Sequence, residues 1–298
     1  MIDFKSPKLS DFKKFAPFFF DEGELSCEMN FISIYVWKRV YENKFYMDDK
    51  TLIFRSRTDG EGYVFSLPYG DLEYGMSLIF DYCKEKGIAP NIWTSQGKRL
   101  NEFIKKYNCY EKIPQRDNFD YIYKQSDLAN LSGKKYHSKR NHISAFSKKY
   151  NWSYEPLTDQ NRQDFLAFSD KWYEDKGIEE DDGLKAEKRA LGEILDSDVG
   201  IEYKGALIRV DGRVVAITLG SPINSFTFDI HYEKADKDFA TAYTVINREF
   251  ASRELADYNY INREDDLGLE GLRKAKLSYK PEIILEKYSM IYRGEENV

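Results

Sequence analysis

Residues 205–219, GALIRVDGRVVAITL, constrain the fold of this chain more than any other stretch. Two apolar, β-branched runs, Gly205 to Val210 and Arg213 to Leu219, are separated by Asp211-Gly212 alone, the pairing that closes a two-residue hairpin. A third strand, Ser225 to Glu233, follows, and the loop Lys234 to Asp238 leads into a helix at Thr241 to Leu255. Strand Trp152 to Glu155 and helix Asp159 to Tyr173 precede the hairpin. Strand Tyr258 to Asn262, helix Leu269 to Lys276 and a final strand at Ile283 to Tyr292 complete this half.

The first half alternates in the same way. Lys8 to Phe20 has the spacing of an amphipathic helix, Asn30 to Tyr41 is apolar, and Thr51 to Arg55 and Tyr63 to Leu67 read as strands about an Asp59-Gly60 turn. A helix at Leu72 to Lys86 stops at Gly87, a residue favoured just past a helix end. Strand Asn91 to Thr94, helix Lys98 to Tyr107 and strand Asn118 to Tyr123 follow, with no Gly-rich loop of Walker or Rossmann type. At 298 residues the chain exceeds the size at which single cores grow, and its 42% apolar and 16% aromatic residues suffice for two. The expected units are residues 1–128 and 129–298.

With 45 Lys and Arg against 51 Asp and Glu, the net charge of -6 excludes a globally basic nucleic-acid binder. Against that background, GKKYHSKRNHISAFSKKY (Gly133 to Tyr150) carries six Lys or Arg, two His and no acid. Wound as a helix, it places Tyr136, Ile143, Phe146 and Tyr150 on one face. Lys134, His137, Lys148 and Lys149 point away, and Lys139 and Arg140 lie at the flanks. Such a face is either simply solvated or a phosphate-binding edge. The stretch from Glu174 to Asp198 is the opposite, with ten acids and four bases. Its Glu179, Glu180, Asp181 and Asp182 form either a helix start or a rim that attracts a cationic acceptor.

Cys27, Cys83 and Cys109 are odd in number and far apart, which suits reduced thiols in a cytoplasm. His137, His142 and His231 fall in no pair with zinc spacing, so no metal site is expected. The start, MIDFKSPKLSDFKKF, is neither a secretory signal nor a transit peptide, and no run of about 18 apolar residues occurs.

The element order of the second half, strand, helix, helix, hairpin, strand, helix, strand, helix, strand, is that of a GNAT (N-acetyltransferase) fold, and the first half reads as a divergent copy. Three segments carry a more specific likeness: GKKYHSKRNHISAFSKKY, HYEKADKDFATAYTVINREF and YINREDDLGLEGLRKAKLSYKP. They resemble signatures of a bacterial tandem-GNAT family related to the C-terminal domain of phosphatidylglycerol lysyltransferases and, more distantly, to Fem-type aminoacyltransferases. The likeness extends at lower specificity from about Phe18 to Tyr292. It implies a mixed α/β fold of two tandem GNAT-like domains and acyl transfer, often of an aminoacyl group from charged tRNA, to an amine or hydroxyl acceptor.

Attack of such an acceptor on an acyl ester or thioester requires removal of a proton and stabilisation of an oxyanion. Along Ser225 to Glu233 a period of two places Thr227, Asp229, His231 and Glu233 on one face. The resemblance implies that this strand splays from its neighbour, which makes Asp229, His231 and Glu233 the base candidates; otherwise they only satisfy neighbouring backbone. In Fem-type enzymes a lysine lies near the reacting carbonyl, and the KAKLSY part of the third segment places that role on Lys276. The block NREDDLGLEGLRKAK offers Asn262, Arg263, Asp266, Arg273 and Lys274 to a donor, or else simply caps and charges a helix. In GNAT folds the loop after the splayed strand cradles coenzyme A with glycines. Here it has none, leaving Lys234 and Lys237, with Lys134, Lys139 and Arg140 on the cationic helix. That departure favours aminoacyl-tRNA over acyl-CoA as donor. The partners expected are a tRNA acceptor end and a small-molecule, peptide or lipid-headgroup acceptor. The alternatives are an acetyl-CoA-dependent N-acetyltransferase and a noncatalytic module binding an anionic ligand.

Overall fold

A computed structural model describes residues 2–19, 24–58, 62–178 and 181–294. The Asp59-Gly60 turn and Glu179 and Glu180 lie outside the described residues. The strands are β1 (Lys44–Met47), β2 (Thr51–Thr58), β3 (Gly62–Ser66), β4 (Tyr69–Gly70), β5 (Ile92–Ser95), β6 (Tyr110–Pro114) and β7 (Asp120–Lys124). They continue as β8 (Trp152–Pro156), β9 (Lys204–Val210), β10 (Arg213–Pro222), β11 (Thr227–Ala235), β12 (Tyr260–Asn262), β13 (Ile283–Leu285) and β14 (Lys287–Tyr292). The helices that bear on the site are α1 (Phe12–Phe19), α2 (Phe31–Val36), α3 (Leu72–Lys86), α4 (Lys98–Lys106), α5 (Gln125–Asn130), α6 (His137–Lys149), α7 (Arg162–Asp175), α8 (Asp182–Leu195), α9 (Ala242–Arg253) and α10 (Glu270–Leu277).

Two mixed sheets result. The first runs β1-β2-β3-β5-β14-β6 with β4 on β2, and the second runs β13-β7-β12-β11-β10-β9-β8. The hairpin β9–β10 turns through Asp211 at φ 49 and Gly212 at φ 82, the two left-handed residues that match the twist of the strands. Helix α3 ends at Gly87 in the left-handed conformation, as its sequence requires.

The final strand expected over Ile283 to Tyr292 is two strands in different sheets. Ile283–Leu285 pairs with β7, whereas Lys287–Tyr292 lies between β5 and β6, so the chain crosses between sheets at Glu286. Strand β7 makes the reciprocal exchange, leaving β6 to lie between β12 and β13. Each sheet therefore draws on residues from both sides of position 128. An apolar period alone cannot reveal this, because both short strands are β-prone and run on without a turn residue between them. The apolar core is also shared: Phe15, Phe31 and Phe45 pack in one cluster with Leu191, Ile217 and Tyr232.

The exchange is pinned by charge. Lys287, the first residue of β14, places its ammonium 2.8 Å from Asp120 at the start of β7, and the two side chains are 1% and 0% exposed. Asp120 also accepts from the Cys27 amide at 2.9 Å and the Asn262 amide at 2.9 Å, and Lys287 reaches Glu28 at 3.2 Å. Burial works against the charged lysine, but Asp120, Cys27 and Glu28 together hold its pKa well above the usual range. Replacing one partner strands a buried charge. Lys287→Met is expected to lose on the order of 3–5 kcal/mol in denaturant unfolding. Adding Asp120→Asn should recover part of that loss; a double variant no better than the single one would show that the pair does not act through charge.

Candidate functional site

Strands β11 and β12 run parallel for three residues only, Thr227 to Asp229 against Tyr260 to Asn262. Beyond them β11 continues to Ala235 beside β10 alone, and the chain after Asn262 turns away. The fork opens into a cavity of about 1260 Å³ between the two sheets, larger than the usual small-ligand pocket. Trp93 and Phe65 line it from the first sheet, Glu233 from β11 of the second, and Arg263, Lys276 on α10 and Tyr243 on α9 from the segments around it.

Opposite Leu219 and Gly220 the register of β11 slips, so that Leu219 faces Tyr232 and Gly220 faces Ile230. His231 is the extra residue of this bulge, a device that re-aims a side chain. Gly220 is required there, since a Cβ would lie 2.0 Å from the Asp229 carbonyl oxygen. His231 Nε2 lies 2.8 Å from Ser221 Oγ, and Nδ1 lies 3.2 Å from Glu264 and 3.5 Å from Asp229. Glu264 itself adopts φ 55, a strained conformation for a residue with a side chain, which marks a place where geometry has been favoured over local comfort.

The cations of the fork are held by backbone and carboxylates. Lys276, on α10, donates to the carbonyls of Arg263 and Asp265. Burial lowers its pKa, and Arg263 lowers it further against the opposing pull of Asp265 and Glu264. Arg263 pairs with Glu233, which also accepts from Asn247 at 3.0 Å. Burial raises the carboxyl of Asp265 to about 7, against Lys287, which lowers it. Lys139, on α6, lies 3.6 Å from the centre of the Tyr279 ring; burial and Arg263 bring its ammonium down to about 8.

Of the residues expected from sequence, His231, Glu233, Lys276, Arg263, Lys139 and Lys234 all line this one cavity. Lys234 is engaged there by Glu187 at 2.9 Å and lies over the Trp172 ring. Asp229 sits behind the wall, fully buried. The others fall elsewhere. Lys134, Lys237 and Lys274 are exposed and outside the lining, and Arg140 donates to the carbonyls of Leu131 and Gly133. Asn262 bonds Leu25 and Asp120 within the core. Asp266 is a buried anchor: burial would raise its carboxyl, but bonds from Arg273, Tyr121 and the Gly268 amide hold it at about 2.

Glu264 and Asp265 belong to the NREDDLG block, yet nothing in their spacing distinguishes them from capping residues. Their neighbour Asp266, alike in type, points into the core. The expectation of no metal site rested on linear spacing, whereas the bulge and the turn at Glu264 bring Asp229, His231 and Glu264 together from positions up to 35 residues apart.

With this geometry in place, comparison with known proteins is informative. The profile of the family described as phosphatidylglycerol lysyltransferase, C-terminal, matches residues 23–291. A conserved protein of unknown function from Bacteroides thetaiotaomicron is 35% identical, with 98% of this chain and 100% of that one covered and a TM-score of 0.88. The L-PGS structure from Bacillus licheniformis shares the fold at 14% identity, covering 98% and 94% of the two chains with a TM-score of 0.65. FemX does so at 10% identity, covering 98% of each chain with a TM-score of 0.57. An uncharacterised protein of Mycoplasmoides gallisepticum is 25% identical over 194 residues, 63% of this chain and 60% of that relative's length. Two tandem GNAT-like units, built as mixed sheets and joined by exchanged strands, thus make up the fold. The chain belongs to the family of phosphatidylglycerol lysyltransferase C-terminal domains.

Proposed function

We propose that this protein transfers an aminoacyl group from a charged tRNA to an amine or hydroxyl acceptor in the cavity between its sheets. The observation that carries the reading is the fork of β11 and β12, where the buried cations Lys276 and Arg263 and the carboxylates Glu233 and Asp265 meet on one cavity wall. As the acceptor attacks the ester carbonyl, its oxygen gains charge. The Lys276 ammonium, fixed by two backbone carbonyls, is the preorganised partner for that charge. The carboxylate wall of Glu233 and Asp265 takes the acceptor's proton and returns it to the ribose oxygen of the tRNA, which leaves as a hydroxyl when the ester C–O bond breaks. Arg263 fixes Glu233 in place and stacks 4.8 Å from the Tyr279 ring.

Two features support an aminoacyl-tRNA donor over coenzyme A. The segment between β11 and α9 contains no glycine, so its backbone lacks the freedom to wrap a pyrophosphate. Its lysine, Lys237, is exposed outside the cavity, and Lys234 at the end of β11 is engaged by Glu187. At the neighbouring edge Lys139 and His142 line the cavity and suit the phosphates of an acceptor end.

Purified protein supplied with charged tRNAs and an amine acceptor should release free tRNA and form an acylated product. Lys276→Met should lower that rate by about 10²–10³, the scale of one lost oxyanion donor, and Glu233→Gln by about 10²–10⁴. Activity with acyl-CoA and none with charged tRNA would sink the donor assignment. Unchanged rates in both variants would sink the reading as a whole.

Lys139 adds a dependence on pH. Its ammonium faces Arg263, Glu233, the Tyr279 ring and His142, and loses its proton near pH 8 instead of above 10. Affinity for an anionic probe such as a tRNA acceptor-stem oligonucleotide is therefore expected to fall between about pH 7 and 9. In Lys139→Arg, which stays charged, the fall should disappear. A fall of equal size in both proteins would place the titrating group elsewhere.

A further inference from the structure

The transfer reading uses neither Asp229 nor Glu264, and a separate feature of the fork concerns them. Asp229 is fully buried, and neither of its carboxylate oxygens has a hydrogen-bond partner. A buried carboxylate without a donor is costly, so its partner must be a cation or a proton. His231 Nδ1 lies 3.5 Å away.

The state of that nitrogen follows from a chain of hydrogen bonds. Asn30 accepts from the Ile32 amide through Oδ1 and donates through Nδ2 to the carbonyls of Ser221 and Pro222, so its orientation is fixed. Ser221 gives its single hydroxyl proton to Asn30 Oδ1 at 2.9 Å. Its oxygen is therefore an acceptor toward His231 Nε2 at 2.8 Å, and Nε2 carries the proton. In neutral His231 the Nδ1 lone pair then points at two carboxylates, and the hydroxyl in reach of it, Ser33 Oγ, stands 3.4 Å away at the far limit of a hydrogen bond and leaves both Asp229 oxygens without a donor.

We propose that Asp229, His231 and Glu264 bind a divalent first-row transition ion. The donor atoms lie within 4.8 Å of one another, and Nδ1 is 3.2 Å from Glu264 and 3.5 Å from Asp229. Ligands about 2.0–2.2 Å from one ion on tetrahedral or octahedral directions are separated by about 3–3.5 Å. One imidazole with two carboxylates suits zinc, manganese or cobalt better than magnesium, which seldom takes nitrogen. The Ser221–Asn30 chain orients the ring through its other nitrogen, as metal-bound histidines require. Local charge agrees: Asp120, Asp229, Glu264 and Asp265 gather around Lys276 and Lys287, while Arg263 pairs with Glu233. His231 and Glu264 line the cavity and Asp229 does not, so the remaining coordination positions face the cavity.

The test uses the full chain, stripped with a chelator and titrated with Zn²⁺ and with Co²⁺. One equivalent should bind at micromolar protein, with visible absorption from Co²⁺ and a raised melting temperature. His231→Ala and Glu264→Gln should each weaken binding at least tenfold; Glu264 is 25% exposed, so its variant leaves the core intact. Ser221→Ala should weaken it about tenfold through loss of ring orientation. Lys276→Met should bind the ion at least as tightly as the parent, since a nearby cation is removed, while losing transfer, which separates failure of this site from failure of the transferase reading. If the parent takes up neither ion, or the His231 and Glu264 variants bind as it does, the site does not exist and Asp229 is held as the neutral acid.

Discussion

An ion pair with almost no exposure to water, Lys287 with Asp120, stands where the two sheets exchange strands. Desolvating both groups costs several kcal/mol each, and only close geometry with extra donors offsets this. The partners are present: the Cys27 amide and the Asn262 side chain donate to Asp120, and Glu28 and the Cys27 sulfur accept from Lys287. The pair and its partners come from four separate stretches of chain, so the cluster is complete only when residues 27–28, β7, β12 and β14 are all in place. The same Asn262 accepts the Glu264 amide at 2.7 Å and thereby sets the turn that presents Glu264 and Asp265 to the cavity. The architecture of the fork thus rests on charge buried behind it.

Much of the fold was legible because local chemistry decided it. Asp211-Gly212 specified the hairpin, Gly87 ended α3, and the buried Tyr136 and Phe146 marked the inner face of the cationic segment. What was not legible depends on partners distant in sequence. Ile283 to Tyr292 reads as one strand, and only pairing with β7 and then with β5 and β6 divides it. The site shows the same split. Lys276 and Glu233 could be picked out from a resemblance and a strand period, whereas the company of Asp229, His231 and Glu264 depends on a bulge and a left-handed turn that no periodicity announces.

Charge was a poor guide to position at the surface and a good one in the interior. The cationic segment at 133–150 drew attention by contrast with an acidic chain, yet of its basic residues only Lys139 and His142 reach the cavity. Lys134 is solvated and Arg140 closes the turn before its helix. Exposed ammonium groups are well hydrated and need no partner. Those withdrawn from water, such as Lys276 and Arg263, need one, and the carboxylates and carbonyls that supply it form the wall of the site. No described helix is long and apolar enough to cross a membrane.

The placement of β14 in the middle of the first sheet carries a consequence for biogenesis. Residues 287–292 are made some 170 residues after β6, yet they are the slat between β5 and β6. While the ribosome is still translating the intervening segment, the emerging amino-terminal portion therefore holds two open edges that cannot yet join. Contacts of such long range are slow to form, and unpaired edges invite wrong partners. A nascent chain of this design can close its first sheet only after β14 has been made.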